Sequence, residues 1–105
     1  MNDSIDDQQI SAVADMFHLL GDPTRLKIVY SCLDEMRSAG DIAIDTGASA
    51  SLVSHHLRLL KAARLVRSER RGRQVFYVAA DHHVRHVLSD MIDHLNEPES
   101  SERNG

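Results

Sequence analysis

The segment from residue 41 to residue 62 constrains the fold more than any other part of this chain. Its pattern predicts a short helix over 41–45 and a longer helix over 50–62, with Gly47 in the turn between them. Apolar side chains recur at i, i+4 and i+7 of the longer helix, at Val53, Leu57 and Leu60. Two helices joined by a short turn with glycine, the second with one buried face, form a helix-turn-helix.

The apolar period changes after Ala63, from that of a helix to that of a strand. Residues 65–70 and 74–78 read as two strands, and residues 71–73 form the turn of a hairpin between them. A hairpin directly after a helix-turn-helix is placed like a wing. The sequence therefore predicts a mainly α domain with one β-hairpin, in the form of a winged helix-turn-helix.

Two further helices precede the helix-turn-helix. The first is predicted over 8–20 and ends at Gly21. The second starts at Asp22, which can cap free backbone N–H groups, and Pro23, which loses no hydrogen bond at the first helical position. Its apolar period predicts a helix that continues to about Met36.

The core of such a domain must be mostly aliphatic, because the chain has two Tyr, two Phe and no Trp. The single cysteine, Cys32, excludes an intrachain disulfide and lies in an apolar helical run, where we expect a buried hydrophobe. Neither an apolar span of about 18 residues nor a signal-peptide pattern is present, which predicts a cytoplasmic protein with no membrane partner. One domain is expected over 1–97, with dimerising first and last helices, and 98–105 is predicted to be a disordered tail.

The net charge of −4 conceals an uneven distribution along the chain. Both ends are acidic, whereas residues 23–80 carry ten basic and five acidic groups. A basic cluster of this kind suits a polyanion, although solvated faces are often basic as well. Polar side chains opposite the apolar stripe of helix 50–62 can reach bases and phosphates, and arginines at a hairpin tip can reach phosphates or the minor groove. The predicted DNA-binding residues are Ser51, Ser54, His55, Arg58, Lys61, Arg70, Arg71 and Arg73.

A last helix is predicted from Asp81 to Glu97, with potential metal ligands beside its apolar stripe. The stripe consists of Val84, Leu88, Met91 and Leu95. His83 and His94 are eleven positions apart, which places them about 20° apart around the helix axis but roughly 16 Å apart along it. Donors to one ion lie much closer together than this. One helix alone therefore cannot close a metal site.

An antiparallel copy of the helix can close it, because the Asp81 end of one chain then faces the Glu97 end of the other. The apolar stripe becomes the seam of a homodimer, and two-fold symmetry produces two equivalent sites. Each site has two imidazoles and two carboxylates, a set that suits zinc, with cobalt(II) as a substitute. The predicted ligands are Asp81, His83, His94 and Glu97. Three further side chains near this face can replace or support a ligand: His82, His86 and Asp90.

With these segments, the chain resembles the ArsR/SmtB family of metal-responsive bacterial repressors. The resemblance extends from about residue 10 to residue 97 and rests on residues 20–26, 51–60, 70–77 and 81–97. It implies a dimer that binds an inverted-repeat operator in double-stranded DNA. Asp81-x-His83 followed by His94-x-x-Glu97 resembles the C-terminal-helix site of the family's zinc sensors. Ser38 and Gly40 stand where family members that sense soft metals carry the two thiolates of a Cys-x-Cys, so an arsenic, lead or cadmium site is not expected there.

The function implied by this resemblance is repression of metal efflux or sequestration genes, with release from the operator when zinc or cobalt binds. Two alternatives stay open: a repressor of the same family that senses no metal and uses its histidines as dimer contacts, or a nickel sensor. An enzyme is not expected, since a zinc hydrolase needs an open coordination position and four protein ligands fill the shell. No small-molecule substrate is expected either.

Overall fold

The computed structural model of the protein describes residues 4–99. Within these residues the chain forms a winged helix-turn-helix, which confirms the predicted fold. The elements in chain order are α1 (Asp7–Leu20), α2 (Pro23–Ser31), β1 (Arg37–Ser38), α3 (Ala39–Thr46), α4 (Ala50–Ala62), β2 (Val66–Arg71), β3 (Gln74–Ala79) and α5 (His82–Asn96). None of the helices in this range is long and apolar enough to cross a membrane.

The first two helices begin at aspartate caps. Asp6 accepts a hydrogen bond from the backbone N–H of Gln9 at 2.8 Å, and Asp22 accepts one from the backbone N–H of Arg25 at 3.0 Å. These bonds satisfy donors that the first turn of a helix leaves without a partner. The predicted start of α2 at Asp22 and Pro23 is thus confirmed, as is α1 with its end at Gly21.

The predicted continuation of α2 to Met36 was wrong, because α2 ends at Ser31. The carbonyl of Cys32 accepts a hydrogen bond from the backbone N–H of Ala79 in β3 at 2.9 Å. Shortly afterwards Arg37–Ser38 pairs with β3 as a two-residue strand that the sequence did not predict. Residues 32–36, which the apolar period assigned to a helix, therefore form a non-helical connection that leads into the sheet.

The start of α3 was also predicted too late. The helix begins at Ala39 instead of residue 41. Ser38 is its N-cap residue, and its hydroxyl accepts a hydrogen bond from the backbone N–H of Asp41 at 3.1 Å. The turn that follows is as predicted: Gly47 has a φ of 75°, a left-handed conformation that suits glycine at a helix end. Ser49 then caps α4 through the backbone N–H of Leu52 at 3.1 Å.

A tight turn connects α4 to the wing. Arg64 adopts a left-handed φ of 63°, and the backbone N–H of Leu65 donates to the carbonyl of Leu60 at 2.9 Å, which is the bond of a Schellman motif. This turn buries Leu65 and leads directly into β2. The position of the wing is therefore set by the last turn of α4.

β2 and β3 pair antiparallel from Val66 opposite Ala79 to Arg71 opposite Gln74. The hairpin turn is therefore Gly72–Arg73 alone, and Arg71 lies in β2 rather than in the predicted turn. Gly72 has the positive φ of 64° that two-residue hairpin turns require. On its other edge β3 pairs with β1, which gives the strand order β1-β3-β2.

The core is aliphatic, as predicted, and lies between α2, α3, α4 and the sheet. Its buried members are Ile28, Val29, Cys32, Leu33, Ile42, Val53, Leu57, Leu60, Leu65, Val66, Ala79 and Leu88. α1 contributes no buried residue, and α5 contributes only Leu88. The hydroxyl of Tyr30 in α2 donates to the carbonyl of Leu88 at 2.7 Å and fastens α5 to the rest of the fold. Of the predicted tail 98–105, residues 100–105 lie outside the described residues.

Candidate DNA-binding surface and metal ligands

α4 places its predicted apolar and polar faces as the sequence indicated. Its first turn is fixed by the Ser49 cap, and its buried face consists of Val53, His56, Leu57 and Leu60. The side chains predicted to contact DNA are all exposed along the other side of this helix: Ser51, Ser54, His55, Arg58 and Lys61. The helix therefore presents short polar groups near its N-terminus and basic groups further along. Such a row suits contact with base edges and phosphates.

The buried face of α4 includes His56, whose burial the apolar period of the helix did not predict. It is buried, and its Nδ1 has no hydrogen-bond partner among the described residues. Burial lowers the pKa of His56, and the positive charge of Arg25 lowers it further, against the opposing effect of Asp22. A buried imidazole of this kind stays neutral and packs α4 against the start of α2.

The wing carries an ordered row of charges on β2. The carboxylate of Glu69 accepts a hydrogen bond from Nε of Arg71 at 3.0 Å and lies 3.9 Å from Nη1 of Arg67. The guanidinium of Arg71 also lies over the ring of Phe76, 5.8 Å from its centroid, at a distance typical of a cation–π contact. Arg71 is thus held in place, and Glu69 partly neutralises it.

The other two arginines predicted at the wing, Arg70 and Arg73, are exposed, and the described contacts include no ion pair for either. Arg70 alternates with Glu69 and Arg71 along β2 and therefore points to the opposite face of the hairpin. Arg73 lies in the turn itself. The tip of the wing consequently offers positive charge in more than one direction.

All four predicted metal ligands lie at the two ends of α5 and are exposed. Asp81 is the N-cap residue, and its Oδ1 accepts a hydrogen bond from the backbone N–H of Val84 at 3.1 Å. This bond, followed by weaker contributions from His83 and His82, lowers the pKa of Asp81 below its usual value. The carboxylate is therefore ionised near neutral pH, and its second oxygen is not used by the cap. His83 lies at the same end, whereas His94 and Glu97 lie at the other.

A single chain does not bring these ligands together. Over residues 4–99, no group of three or more histidine, cysteine, aspartate or glutamate side chains is arranged to hold a metal ion. The only cysteine, Cys32, is fully buried, and burial raises the pKa of its thiol to about 12. It is the buried hydrophobe that the sequence predicted, whereas the candidate ligands at the ends of α5 are exposed.

The apolar faces of α1 and α5 remain open in the single chain. Phe17 of α1 is 54% exposed, and Met91 and Leu95 of α5 are 52% and 76% exposed. These three side chains line one apolar groove that also reaches Tyr30 and Leu88. The predicted stripe of α5 is therefore correct in register, but only Leu88 is buried within its own chain.

The N-terminal end of α5 lies beside the C-terminal end of α4. Asp81 and His83 line the same surface groove as Lys61 and Arg64. In addition, the backbone N–H of Ala80 donates to the carbonyl of Leu65 at 3.1 Å, directly after the turn that closes α4. The candidate ligands at this end are thus connected to the candidate DNA-reading helix through a few backbone hydrogen bonds.

Comparison with known proteins gives consistent matches over most of the chain. Residues 22–68 match the family described as "Bacterial regulatory protein, arsR family". The chain is 37% identical over 90 residues to the HTH-type transcriptional regulator KmtR of Mycobacterium tuberculosis, covering 86% of this chain and 69% of KmtR. It is 38% identical over 89 residues to a transcriptional repressor SmtB homolog of Synechocystis, covering 85% of this chain and 67% of that protein.

Among solved structures, the homodimeric winged helix-turn-helix DNA-binding domain Mb0332 of Mycobacterium bovis superimposes with a TM-score of 0.78 at 25% sequence identity. The match covers 90% of each chain. That protein is described as a possible ArsR-family transcriptional regulator.

Proposed function

Since the chain belongs to the ArsR/SmtB family of bacterial transcriptional regulators, we propose that this DNA-binding repressor is a homodimer that senses zinc at α5. In this proposal the protein is cytoplasmic, and the metal-free dimer binds an inverted-repeat operator. Binding of zinc, or of cobalt(II) in its place, releases the dimer from the operator. The regulated genes would then be those for metal efflux or sequestration. The family consists of transcriptional regulators, and the protein is not an enzyme.

The observation that carries the zinc proposal is the combination of two features on one helix. Side chains that can bind metal lie at both ends of α5. Between them runs an apolar row whose C-terminal members, Met91 and Leu95, are exposed. An exposed apolar row of this kind marks an interaction surface. The ligands flank that surface, so the partner that covers the row also meets the ligands.

We assign a second copy of this chain as that partner. The separation of His83 and His94 by eleven positions prevents one helix from using both on one ion. In an antiparallel pair of α5 helices, Asp81 and His83 of one protomer lie opposite His94 and Glu97 of the other. The exposed Phe17 of α1 borders the same groove, which supports α1 as part of the dimer contact.

The donor set fits zinc. Two imidazoles and two carboxylates are common zinc ligands, and the cap hydrogen bond keeps Asp81 in the ionised form that a metal requires. When bound, zinc would link the ends of the two α5 helices and restrict how the protomers sit relative to each other. The fully buried Cys32 is not available as a ligand.

The DNA contacts are proposed from the exposed groups on α4 and the wing. The N-terminal part of α4, with Ser51, Ser54 and His55, would reach base edges in the major groove. Arg58 and Lys61 would contact phosphates, and so would three arginines of the wing: Arg70, Arg71 and Arg73. A two-fold dimer would place two such surfaces about one helical turn of DNA apart, which is the spacing of an inverted repeat.

The coupling between metal and DNA is proposed to run through the junction of α4, β2 and α5. Leu65 donates to Leu60 at the end of α4 and accepts from Ala80, the residue before Asp81. A shift of the N-terminus of α5 would therefore be passed directly to the end of the DNA-reading helix. By linkage, DNA must weaken zinc binding by the same factor, typically about 5- to 150-fold.

The test compares operator binding by the purified dimer with zinc and with a zinc chelator. For the ligands, we would use Asp81→Asn, because asparagine also caps helices well, and His94→Gln. Both variants should bind the operator as the metal-free protein does, and they should lose most of the roughly 5- to 150-fold weakening of operator binding that zinc causes. His18→Gln, an exposed histidine of α1 outside the proposed site, is the control and should respond like the wild type. Loss of DNA binding by metal-free Asp81→Asn would contradict the assignment.

Cobalt(II) titration separates this proposal from a repressor of the same family that senses no metal. A closed site with four protein ligands gives a tetrahedral cobalt(II) complex with intense visible absorption, whereas a dimer seam without a metal site gives none. The same titration with nickel(II) tests the alternative that nickel is the inducer, because nickel in this site would require additional ligands.

A further inference from the structure

We propose that His82 and His86 form a metal site of their own on the solvent face of α5, one per protomer, which takes nickel(II). The two residues are four positions apart in the first turns of the helix, and their ring centroids are 5.7 Å apart. Both side chains are exposed. This pair shares no ligand with the four proposed for zinc, although the ring centroid of His82 also lies 3.9 Å from that of His83.

The helical spacing explains why the two rings meet. Residues four positions apart lie about 40° apart around the axis and one turn apart along it, so their side chains are neighbours on the helix surface. The rings are arranged edge-on, with an interplanar angle of 76°. An ion between two imidazoles at this separation can contact one nitrogen of each at about 2.0–2.1 Å after side-chain rotation only. The pair is therefore a bidentate chelate within one chain.

The chemistry of the pair selects the ion. It offers two imidazole nitrogens and no sulfur, which suits divalent nickel, copper or zinc and does not suit copper(I). The remaining coordination positions are open to water, as expected for an ion that prefers more than four ligands. The carboxylate of Asp81 lies close enough to interact electrostatically with His82, which adds negative charge beside the pair.

The position of the pair on α5 keeps it apart from the proposed dimer surface. His82 and His86 lie about 180° and 140° around the helix from Met91 of the proposed dimer surface, whereas His83 lies about 80° from it. His83, by contrast, lines the groove with Lys61 and Arg64, whereas neither His82 nor His86 lines it. Both members of the pair therefore stay accessible when a second copy covers the apolar row of α5.

The experiment uses the full-length protein without an affinity tag. In a His83→Gln/His94→Gln background, which removes the proposed interprotomer site, nickel chloride is titrated by equilibrium dialysis. Retention on immobilised nickel is measured in parallel. We expect one nickel ion per protomer, and we expect His86→Gln in this background to lose it together with most of the retention. His18→Gln is the control, because it removes an exposed histidine of α1 that has no histidine one turn away.

Nickel binding that survives His86→Gln, or that His18→Gln weakens equally, would overturn the proposal. Glutamine is a good helix former and His86 is exposed, so the circular dichroism spectrum should be unchanged by the substitution. A second measurement distinguishes this site from the zinc sensor. With His83 and His94 intact, His86→Gln should retain zinc-dependent release from the operator. If release is lost instead, His86 belongs to the sensing site and the separate site does not exist. If zinc has no effect on the wild type, the sensor proposal fails and the nickel result still stands.

Discussion

Replacement of Glu69 by glutamine tests whether the wing contacts DNA and how its charge is controlled. In the structure the Glu69 carboxylate lies between two arginines, 3.0 Å from Nε of Arg71 and 3.9 Å from Nη1 of Arg67. Glutamine has nearly the same size and keeps a carbonyl oxygen that can accept the hydrogen bond from Arg71. The substitution therefore removes one negative charge from each wing while Arg71 keeps its position over Phe76.

The expected gain in DNA affinity follows from counterion release. The logarithm of the observed binding constant falls linearly with the logarithm of the salt concentration. The slope is about −0.9 for each phosphate that the protein neutralises. At about 0.15 M salt, one such contact corresponds to about 1 kcal/mol. This is roughly a 5-fold increase in affinity for each wing that meets a phosphate. Direct Coulomb attraction between unit charges about 6 Å apart in water gives a similar value, about 0.7 kcal/mol. Since these ion pairs are exposed, folding stability should change by less than about 1 kcal/mol.

The assay is fluorescence anisotropy with a labelled duplex of random sequence, because phosphate contacts do not depend on the base sequence. Titrations between about 50 and 200 mM salt give both the affinity and the salt slope. Glu69→Gln should bind more tightly with a steeper slope, and Arg71→Ala should bind more weakly with a shallower one. Glu35→Gln, an exposed acid in the segment between α2 and β1, is the matched control for a general change in net charge.

Two results would refute this reasoning. If neither Glu69→Gln nor Arg71→Ala changes the salt slope, the wing does not touch the DNA backbone. If Glu35→Gln strengthens binding as much as Glu69→Gln, the effect comes from net charge, and the arrangement around Arg71 has no special part in it.

Three further predictions concern the core and its attachment to α5. Tyr30→Phe removes the hydrogen bond to the carbonyl of Leu88 and should lower the free energy of unfolding by about 0.5–1.5 kcal/mol in urea titrations, with faster amide exchange in α5. The pKa of His56 is lower in the folded protein than in the unfolded chain, where it is about 6.5. As the pH falls below about 6.5, the unfolded chain therefore binds more protons than the folded protein does. Stability should therefore fall over that range until the folded pKa is reached, and His56→Leu should flatten the dependence. Cys32, buried with a pKa of about 12, should not react with a thiol reagent until the protein unfolds, and Cys32→Ala should leave the zinc response unchanged.

The helix-turn-helix and the wing could be predicted from the sequence because their signals are local. A cap at Ser49, a glycine at position 47 and an apolar period with one buried face are sufficient to define α4. Gly72, with its positive φ, similarly marks the tip of the hairpin, although the turn is one residue shorter than predicted. In each case the residues that determine the element lie within it or a few positions from its end.

The end of α2 could not be predicted in this way. Leu33 continues the apolar period of the helix and is buried as that period indicates, yet the backbone around it is not helical. What ends the helix is the hydrogen bond from Ala79 to Cys32 and the pairing of Arg37–Ser38 with β3, which is more than thirty residues away along the chain. A long-range backbone contact of this kind leaves no signal in the local sequence. The burial of His56, next to the exposed His55, has the same origin, since it depends on how the start of α2 packs on α4.

The proposed metal ligands present a different problem, because the sequence can suggest them but one chain does not bring them together. Met91 and Leu95 follow the same period as Leu88, yet only Leu88 finds its neighbours within the chain. The apolar period depends only on the sequence of one helix, whereas the burial of its side chains depends on what packs against that helix. In the proposed dimer the ligands lie at both ends of the exposed apolar row of α5. The contact between protomers that covers this row therefore also brings the ligands together. We expect a change in the metal site to alter the spacing of the protomers and, because Leu65 joins the end of α4 to the start of α5, the positions of the two α4 helices.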